Sequence, residues 1–172
     1  MKILHGAKND IDNFVGDAEQ FDDITMVVLD YKEQLKADGF VKRFFMATPD
    51  ELRPALLFVE EQTKKRDVKL DMQMRMTMVT EEIFTNVCKY AYQNGNGKIE
   101  IGIKVANDII TLQFCDSGMP FNPLEYADNL TTEKISSDDL KGLGLVMVRR
   151  LTDTVSYEYR EGQNILTCTK KI

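Results

Sequence analysis

The stretch KIEIGIKVANDIITLQFCDSG, residues 98–118, decides the fold. From Lys98 to Val105, and again from Ile109 to Cys115, apolar and polar residues alternate, the period of a strand with one buried face. Between the two runs stands Asn107-Asp108, residue types that tolerate the positive φ of a tight hairpin turn. A hairpin with one wet face must cover its dry face with helices or a second sheet. The flanking sequence supplies helices.

Upstream, Asp71 to Asn94 reads as one long helix. Val79, Ile83, Val87 and Ala91 form an apolar stripe at steps of four, while Glu82, Asn86 and Lys89 lie together elsewhere on its circumference. Met72, Met74, Met76 and Met78 alternate and alone would also suit a strand; the apolar pattern that continues downstream without a turn signal decides for helix. Gln93-Asn94-Gly95-Asn96-Gly97 is the turn into the hairpin. Earlier still, Val41 to Ala47 is strand-like, and Thr48-Pro49-Asp50-Glu51 fits a capping box with Pro at the first helical position. The helix it opens carries Leu52, Leu56, Val59 and Thr63 on one face, with Pro54 implying either a kink or a start at Asp50. Residues 33–39 read as a linker, and Phe21 to Tyr31 as a buried strand behind an Asp-rich segment. Roughly thirty residues cannot enclose a core alone, so this front piece must pack on something or be the tail of another domain.

Downstream, Ser117 to Lys141 is polar, contains Pro120 and Pro123 and has little period, as in a functional lid. A short helix, Leu145 to Leu151, follows Gly142 and Gly144. Strands Asp153 to Arg160 and Asn164 to Ile172 turn at Glu161-Gly162-Gln163. Strands and helices in this order predict an α+β, two-layer sandwich: a mixed, mostly antiparallel sheet with helices on one face.

The 172 residues suit one ordinary domain, or one domain with an extra piece attached, and 43% hydrophobic residues can bury a core. With 22 basic and 28 acidic residues the net charge is −6, which repels phosphate backbones and anionic lipid, so neither nucleic acid nor membrane is an expected partner. No apolar run approaches the ~20 residues of a membrane span. Cys88, Cys115 and Cys168 are widely spaced and match no metal pattern; reduced thiols in a cytoplasmic protein are expected. The single histidine, His5, excludes a histidine-based triad in the core and most zinc sites.

Three clusters could carry chemistry. Glu82 and Asn86, at i and i+4, share one side of the long helix. Such a pair also suits a solvated face, but an amide oxygen is a hard ligand for Mg²⁺ shared with phosphates, and a carboxylate one turn away can deprotonate a hydroxyl. Asp116-Ser117-Gly118 ends a strand as an ordinary turn would, yet a carboxylate at a sheet's rim can accept the exocyclic amine of adenine, with Met119 and Phe121 as apolar walls. Lys141-Gly142-Leu143-Gly144-Leu145 opens a helix, either as a lid hinge or as backbone N–H groups facing an anion. It has neither Walker-loop nor dinucleotide-fold spacing.

Order and spacing together resemble the GHKL ATPase family (Bergerat ATP-binding fold) over residues 40–172. The likeness is greatest to the anti-sigma-factor serine/threonine kinases of the RsbW and SpoIIAB type. It rests on Thr48-Pro49-Asp50-Glu51-Leu52, on residues 85–92 (TNVCKYAY) and on residues 118–123 (GMPFNP). Residues 142–153 (GLGLVMVRRLTD) and 162–167 (GQNILT) complete it. The resemblance implies Glu82 as general base, Asn86 as Mg²⁺ ligand and Lys89 beside them at the nucleotide. It implies Asp116 and Gly118 at adenine with Phe121 and Asn122 following, Gly142, Leu143 and Gly144 at phosphates, and Thr167 supporting Asp116 through its hydroxyl. Tyr90 stands where the family commonly has His, and the glycine-rich segment has only two glycines. The implied function is phosphorylation by ATP–Mg²⁺ of a STAS-domain anti-anti-sigma protein, with a sigma factor as second partner and a homodimer as the assembly. The alternative is a catalytically silent, ATP-sensing regulatory module. Residues 19–29 (EQFDDITMVVL) resemble the final strand of PP2C-type phosphatases of the SpoIIE and RsbU type, which implies that residues 1–32 are the remnant of such a domain in a phosphatase–kinase fusion. Asp22 would be a leftover metal ligand, and one carboxylate cannot clamp a catalytic metal.

Overall fold

In the computed structural model, residues 39–92, 97–128 and 140–172 are described. The phosphatase-like strand, Asp22, His5 and the linker through residue 38 lie outside them, as does the middle of the expected lid, residues 129–139.

The hairpin forms as its alternation requires. Strand β2 (Lys98–Ala106) pairs antiparallel with β3 (Ile109–Asp116), Ile99 opposite Asp116 and Ala106 opposite Ile109. Asn107 and Asp108 turn the chain at φ of 52° and 58°, the left-handed pair whose twist suits a two-residue hairpin. Strand β1 (Val41–Met46) lies on the free side of β2. Strands β4 (Thr154–Arg160) and β5 (Gln163–Lys171) form a second hairpin through Glu161 and Gly162, and β5 docks on β3. The five-stranded sheet has the order β1-β2-β3-β5-β4, and each pairing is antiparallel.

Helices α1 (Leu52–Lys64), α2 (Leu70–Asn86) and α4 (Leu140–Leu151) supply the second layer; α3 (Pro123–Asp128) is a short helix after β3. The core lies between layers. Ile99, Ile101, Ile103, Ile110, Leu112 and Phe114 of the central strands are almost fully buried against Phe58, Val59, Met76, Val79, Phe84 and Val148. Each such side chain contributes about 1.5–3 kcal/mol by leaving water. Phe45 of β1 packs on the rings of Phe58 and Phe84, at 5.9 and 6.4 Å between centroids. This is the two-layer α+β sandwich expected, with helices on one face; the described sheet is wholly antiparallel and not mixed, because both hairpins and the β1–β2 and β3–β5 borders pair antiparallel. The other face carries a polar row: Lys42 donates to Gln113 (3.5 Å) and pairs with Glu100 (3.4 Å), and Gln113 Nε2 donates to Thr167 Oγ1 (3.4 Å).

Local details depart from expectation. Thr48 makes no side-chain cap; the Glu51 N–H donates to the Thr48 carbonyl (3.1 Å), closing a 3-10 turn, Pro49–Glu51, before α1 begins at Leu52. Pro54 therefore falls in the first turn of α1, where its missing N–H has no intrahelical partner to lose. The methionines of α2 sort by helical position: Met76 is buried, whereas Met74 and Met78 are exposed. α2 stops being an α-helix at Asn86 and widens into a π turn, Val87–Ala91, with Tyr92 already extended. α4 begins at Leu140, five residues before the expected start, so both glycines are helical. Among the described residues no helix is long and apolar enough to cross a membrane.

Candidate functional site

The site gathers where α2, α4 and the ends of β3 and β5 meet. Glu82 and Asn86 are half-buried on the last turns of α2. α4 crosses them at Gly144. A Cβ on Gly144 would clash with Glu82 Oε2, and lie 3.2 Å from Glu82 Cδ and 3.9 Å from Asn86 Nδ2. A glycine here lets α4 close onto this polar pair with the Glu82 carboxylate in place, whereas a Cβ would push that carboxylate aside. Gly144 is thus an interhelical contact, and as the fifth helical residue its N–H has an intrahelical acceptor. Gly142 and Leu143 lie in the first turn, where N–H groups have no such partner and suit an anion.

Asp116, the last residue of β3, is 8% exposed. Its Oδ1 accepts the Gly118 N–H (2.9 Å) and an N–H of Asn164 Nδ2 (2.9 Å), while among the described residues Oδ2 has no hydrogen-bond partner. Gly118 sits against the π turn. A Cβ there would lie 2.5 Å from the Ala91 carbonyl oxygen, and that same carbonyl accepts the Met119 N–H (3.0 Å). The Tyr92 hydroxyl donates to the Lys98 carbonyl (2.7 Å) and accepts the Ser117 N–H (3.0 Å), fixing the chain just past Asp116. Burial, together with the charge of Asp116, pushes the Tyr92 hydroxyl above its usual range, and it stays a donor.

Between these elements is a cleft of about 470 Å³. Ile83, Asn86, Val87, Tyr90 and Ala91 line one side. Met119, Pro120 and Phe121 come from the loop after β3, Leu145 from α4, and Phe114, Asp116, Tyr157, Asn164 and Leu166 from the sheet. Apolar walls with a few convergent polar groups, at this size, suit a flat heteroaromatic ring system. Asp116 adds an acceptor for an amine on its edge. Among the described residues no group of three or more His, Cys, Asp or Glu is placed to hold a metal ion. A cation there would take the Asn86 amide oxygen plus oxygens brought by a ligand, the sharing Mg²⁺ prefers.

The structure therefore brings together Glu82, Asn86, Asp116, Gly118, Phe121 and Gly144. Lys89 is exposed and outside the cleft lining. Asn122 caps α3: its Oδ1 accepts the Leu124 N–H (3.0 Å) and its Nδ2 donates to Glu125 (2.9 Å). Thr167 is a correction. Paired with Gln113, it faces the opposite side of the sheet, in the polar row, and cannot support Asp116. Asn164, directly across from Asp116, holds that place. Strand parity carried the signal: Asn164 alternates in phase with the buried Leu166 and Cys168, and Thr167 does not. Tyr92 and Tyr157 gave no sequence signal, since their roles depend on which backbone groups the fold brings beside them.

The chain matches the family model described as histidine kinase-like ATPase domain over residues 45–170. It is 22% identical over 99 residues to the serine/threonine-protein kinase BtrW of Bordetella bronchiseptica, covering 57% of this chain and 70% of that protein. Two solved structures share the fold at a TM-score of 0.52, each over 76% of this chain: the RsbU and RsbW domains of a Mycobacterium tuberculosis protein (15% identical) and the SiaB–SiaC complex of Pseudomonas aeruginosa (14% identical). The match spans 32% of the first of those chains and 89% of the second.

Proposed function

The chain belongs to the histidine kinase-like ATPase family, and on that premise we propose that it is an ATP-dependent serine/threonine protein kinase of the anti-sigma class. Its substrate would be a STAS-domain anti-anti-sigma protein and its second partner a sigma factor, released or held by partner switching from a cytoplasmic homodimer. The observation that carries the reading is the convergence of Asp116 with the Glu82–Asn86 pair, the first on the floor of an apolar cleft and the second where α4 closes on α2 at Gly144. Similarity to BtrW, named as a serine/threonine-protein kinase, supports the choice of acceptor.

In this reading Asp116 Oδ2 accepts the amine of adenine, and Phe121, Met119 and Leu166 enclose the ring. Asn86 holds Mg²⁺ through its amide oxygen, and the first-turn N–H groups of α4 face the phosphates. When bound, ATP with Mg²⁺ supplies the activated phosphoryl group and offsets its charge. Glu82 would take the proton of the acceptor hydroxyl as that oxygen bonds to the γ-phosphorus and the bond from phosphorus to the β–γ bridging oxygen breaks, ADP leaving with that electron pair. Phosphoryl transfer depends chiefly on positioning and electrostatics, so few side chains suffice.

One observation favours the silent sensor as a second reading: Glu82 packs against Gly144 and is not among the residues lining the cleft. Incubation with labelled ATP, Mg²⁺ and candidate STAS proteins separates the two. The kinase reading expects phosphotransfer by the unaltered protein and a loss of about 10²–10⁴-fold in Glu82→Gln, with ATP affinity kept. ATP binding without transfer by the unaltered protein supports the sensor; no ATP binding at all removes both.

A further inference from the structure

Helices α1 and α2 are joined by residues 65–69, and their outward sides enclose a groove that the mechanism above does not use. A connection this short sets two helices antiparallel. Outward from it, the lining places Lys64 and then Glu60 on α1, and Leu70 and then Met74 on α2. Leu57 and Met78 of the same groove are exposed, as are Leu70 (71%) and Met74 (60%). Four large apolar side chains gathered on one surface mark an interaction site, as scattered ones do not. No residue lines both this groove and the cleft. Along the rim of α1 the charge reverses within one turn, from Glu60 to Lys64. Glu61 pairs with Lys65 (2.9 Å), whereas among the described residues the side chains of Glu60 and Lys64 have no ion partner.

We propose that this groove is the docking surface for a second copy of the chain, turned about a two-fold axis level with Gln62 on α1 and Met72 on α2. The inference rests on the homodimer of the reading above and supplies its contact surface. One axis meets two separate requirements. Glu60 and Lys64 each stand two residues from Gln62, so the rotation sets Glu60 of each copy against Lys64 of the other. Leu70 and Met74 each stand two residues from Met72, so the same rotation sets Leu70 of each copy against Met74 of the other. The two centres are themselves level, since Gln62 lies two residues before the end of α1 and Met72 two residues after the start of α2. A rim of one sign, or apolar side chains all to one side of the centre, would repel or miss a copy of itself. Charge reversal and apolar pairing about one level therefore favour a copy over an unrelated partner. The flexible side chain of Met74 adapts to the leucine opposite, and Leu57 and Met78 border the contact about one turn farther out.

Sedimentation of the full chain over a range of concentrations reads the dissociation constant of the dimer, and calorimetry reads ATP affinity on the same preparations. Glu60→Lys and Lys64→Glu each create two like-charge contacts by symmetry. Either is expected to raise the dimer dissociation constant about tenfold or more, and less at high salt. Glu60→Lys combined with Lys64→Glu restores opposite signs and should return the constant to within about threefold of the unaltered value. Met74→Glu sets a charge against apolar surface and should weaken the dimer about tenfold or more by a route independent of the swap. ATP affinity should hold in all four variants, because none touches the cleft. A dimer indifferent to Met74→Glu or to the single swaps, or a double swap as weak as either single, overturns the proposed surface while leaving the homodimer. An unaltered protein that stays monomeric at every concentration overturns both, and leaves the kinase reading to be judged by ATP binding and transfer. Failure of the unaltered protein to bind ATP removes the kinase reading alone, since the dimer constants still decide this one.

Discussion

Gly144 shows how much a single hydrogen in place of a side chain decides. The seam of α2 and α4 has no room for a Cβ beside the Glu82 carboxylate. Gly144→Ala must either turn that carboxylate away or lift α4. The carboxylate is the flexible end of its side chain, so it turns away at little cost, and the alanine regains about 0.5–1 kcal/mol of helix propensity. Phosphotransfer is expected to fall at least about tenfold with the melting temperature unchanged or slightly raised, in a kinase assay paired with thermal melts. An unchanged rate would mean that the carboxylate position set by Gly144 does not govern transfer. At this scale the sequence was legible where function depends on a side chain's position along one element. Glu82 with Asn86, and Asp116 at a strand end, could be read from spacing. Parity along β5 separates Asn164 from Thr167, but that β5 is the strand across from Asp116, with Asn164 in register, comes only from the fold. Cys168 illustrates the opposite limit: it is buried in the core, and its thiol is pushed up to about 12 by burial, so it stays a protonated packing group.

At the scale of elements, period and turn chemistry located both hairpins and the helices, while the ends moved. The 3-10 turn before α1, the π turn after α2 and the early start of α4 all depend on tertiary contacts that no local pattern encodes. The entry to β4 is held by Asp153, which accepts from Lys170 Nζ (2.5 Å) and from the Lys171 N–H (2.7 Å) on β5. The hydrogen bond from Lys170, then that from the Lys171 backbone, draws its carboxyl below the ordinary value of 3.8. The folded state therefore binds this proton less readily than the unfolded chain. The resulting stability is present above pH 3.8 and is lost as pH falls through the lowered folded value. Asp153→Asn is expected to melt lower than the unaltered protein at neutral pH, with the gap closing in acid. Parallel melts at both pH values check it, and a gap independent of pH would assign the effect to something other than charge.

For the molecule as a whole, fold class followed from the sequence because one alternating hairpin, one long amphipathic helix and a second hairpin leave few ways to cover a single apolar face. The strand order, with β5 between β3 and β4, was not legible, since nothing local says which edge the second hairpin takes. A nucleotide that binds only the folded chain must stabilise all of it. At ATP one hundred times above its dissociation constant the gain is about 2.7 kcal/mol, expected to raise the melting temperature by about 5–10 °C. A flat melt across that range of ATP would contradict the proposed ligand.

The place of Asp116 and Asn164 in the topology has a further consequence. Each hairpin closes on itself through a two-residue turn, but β3 and β5 are joined across a long detour of chain, this pair standing 48 positions apart. Bringing such distant partners together costs more entropy than either turn, so the β3–β5 border is where the sheet is dearest to assemble. Anything gripped at its end fastens the two ribbons to each other, and amide protons along that border should then exchange with solvent more slowly, although the ligand never touches most of them.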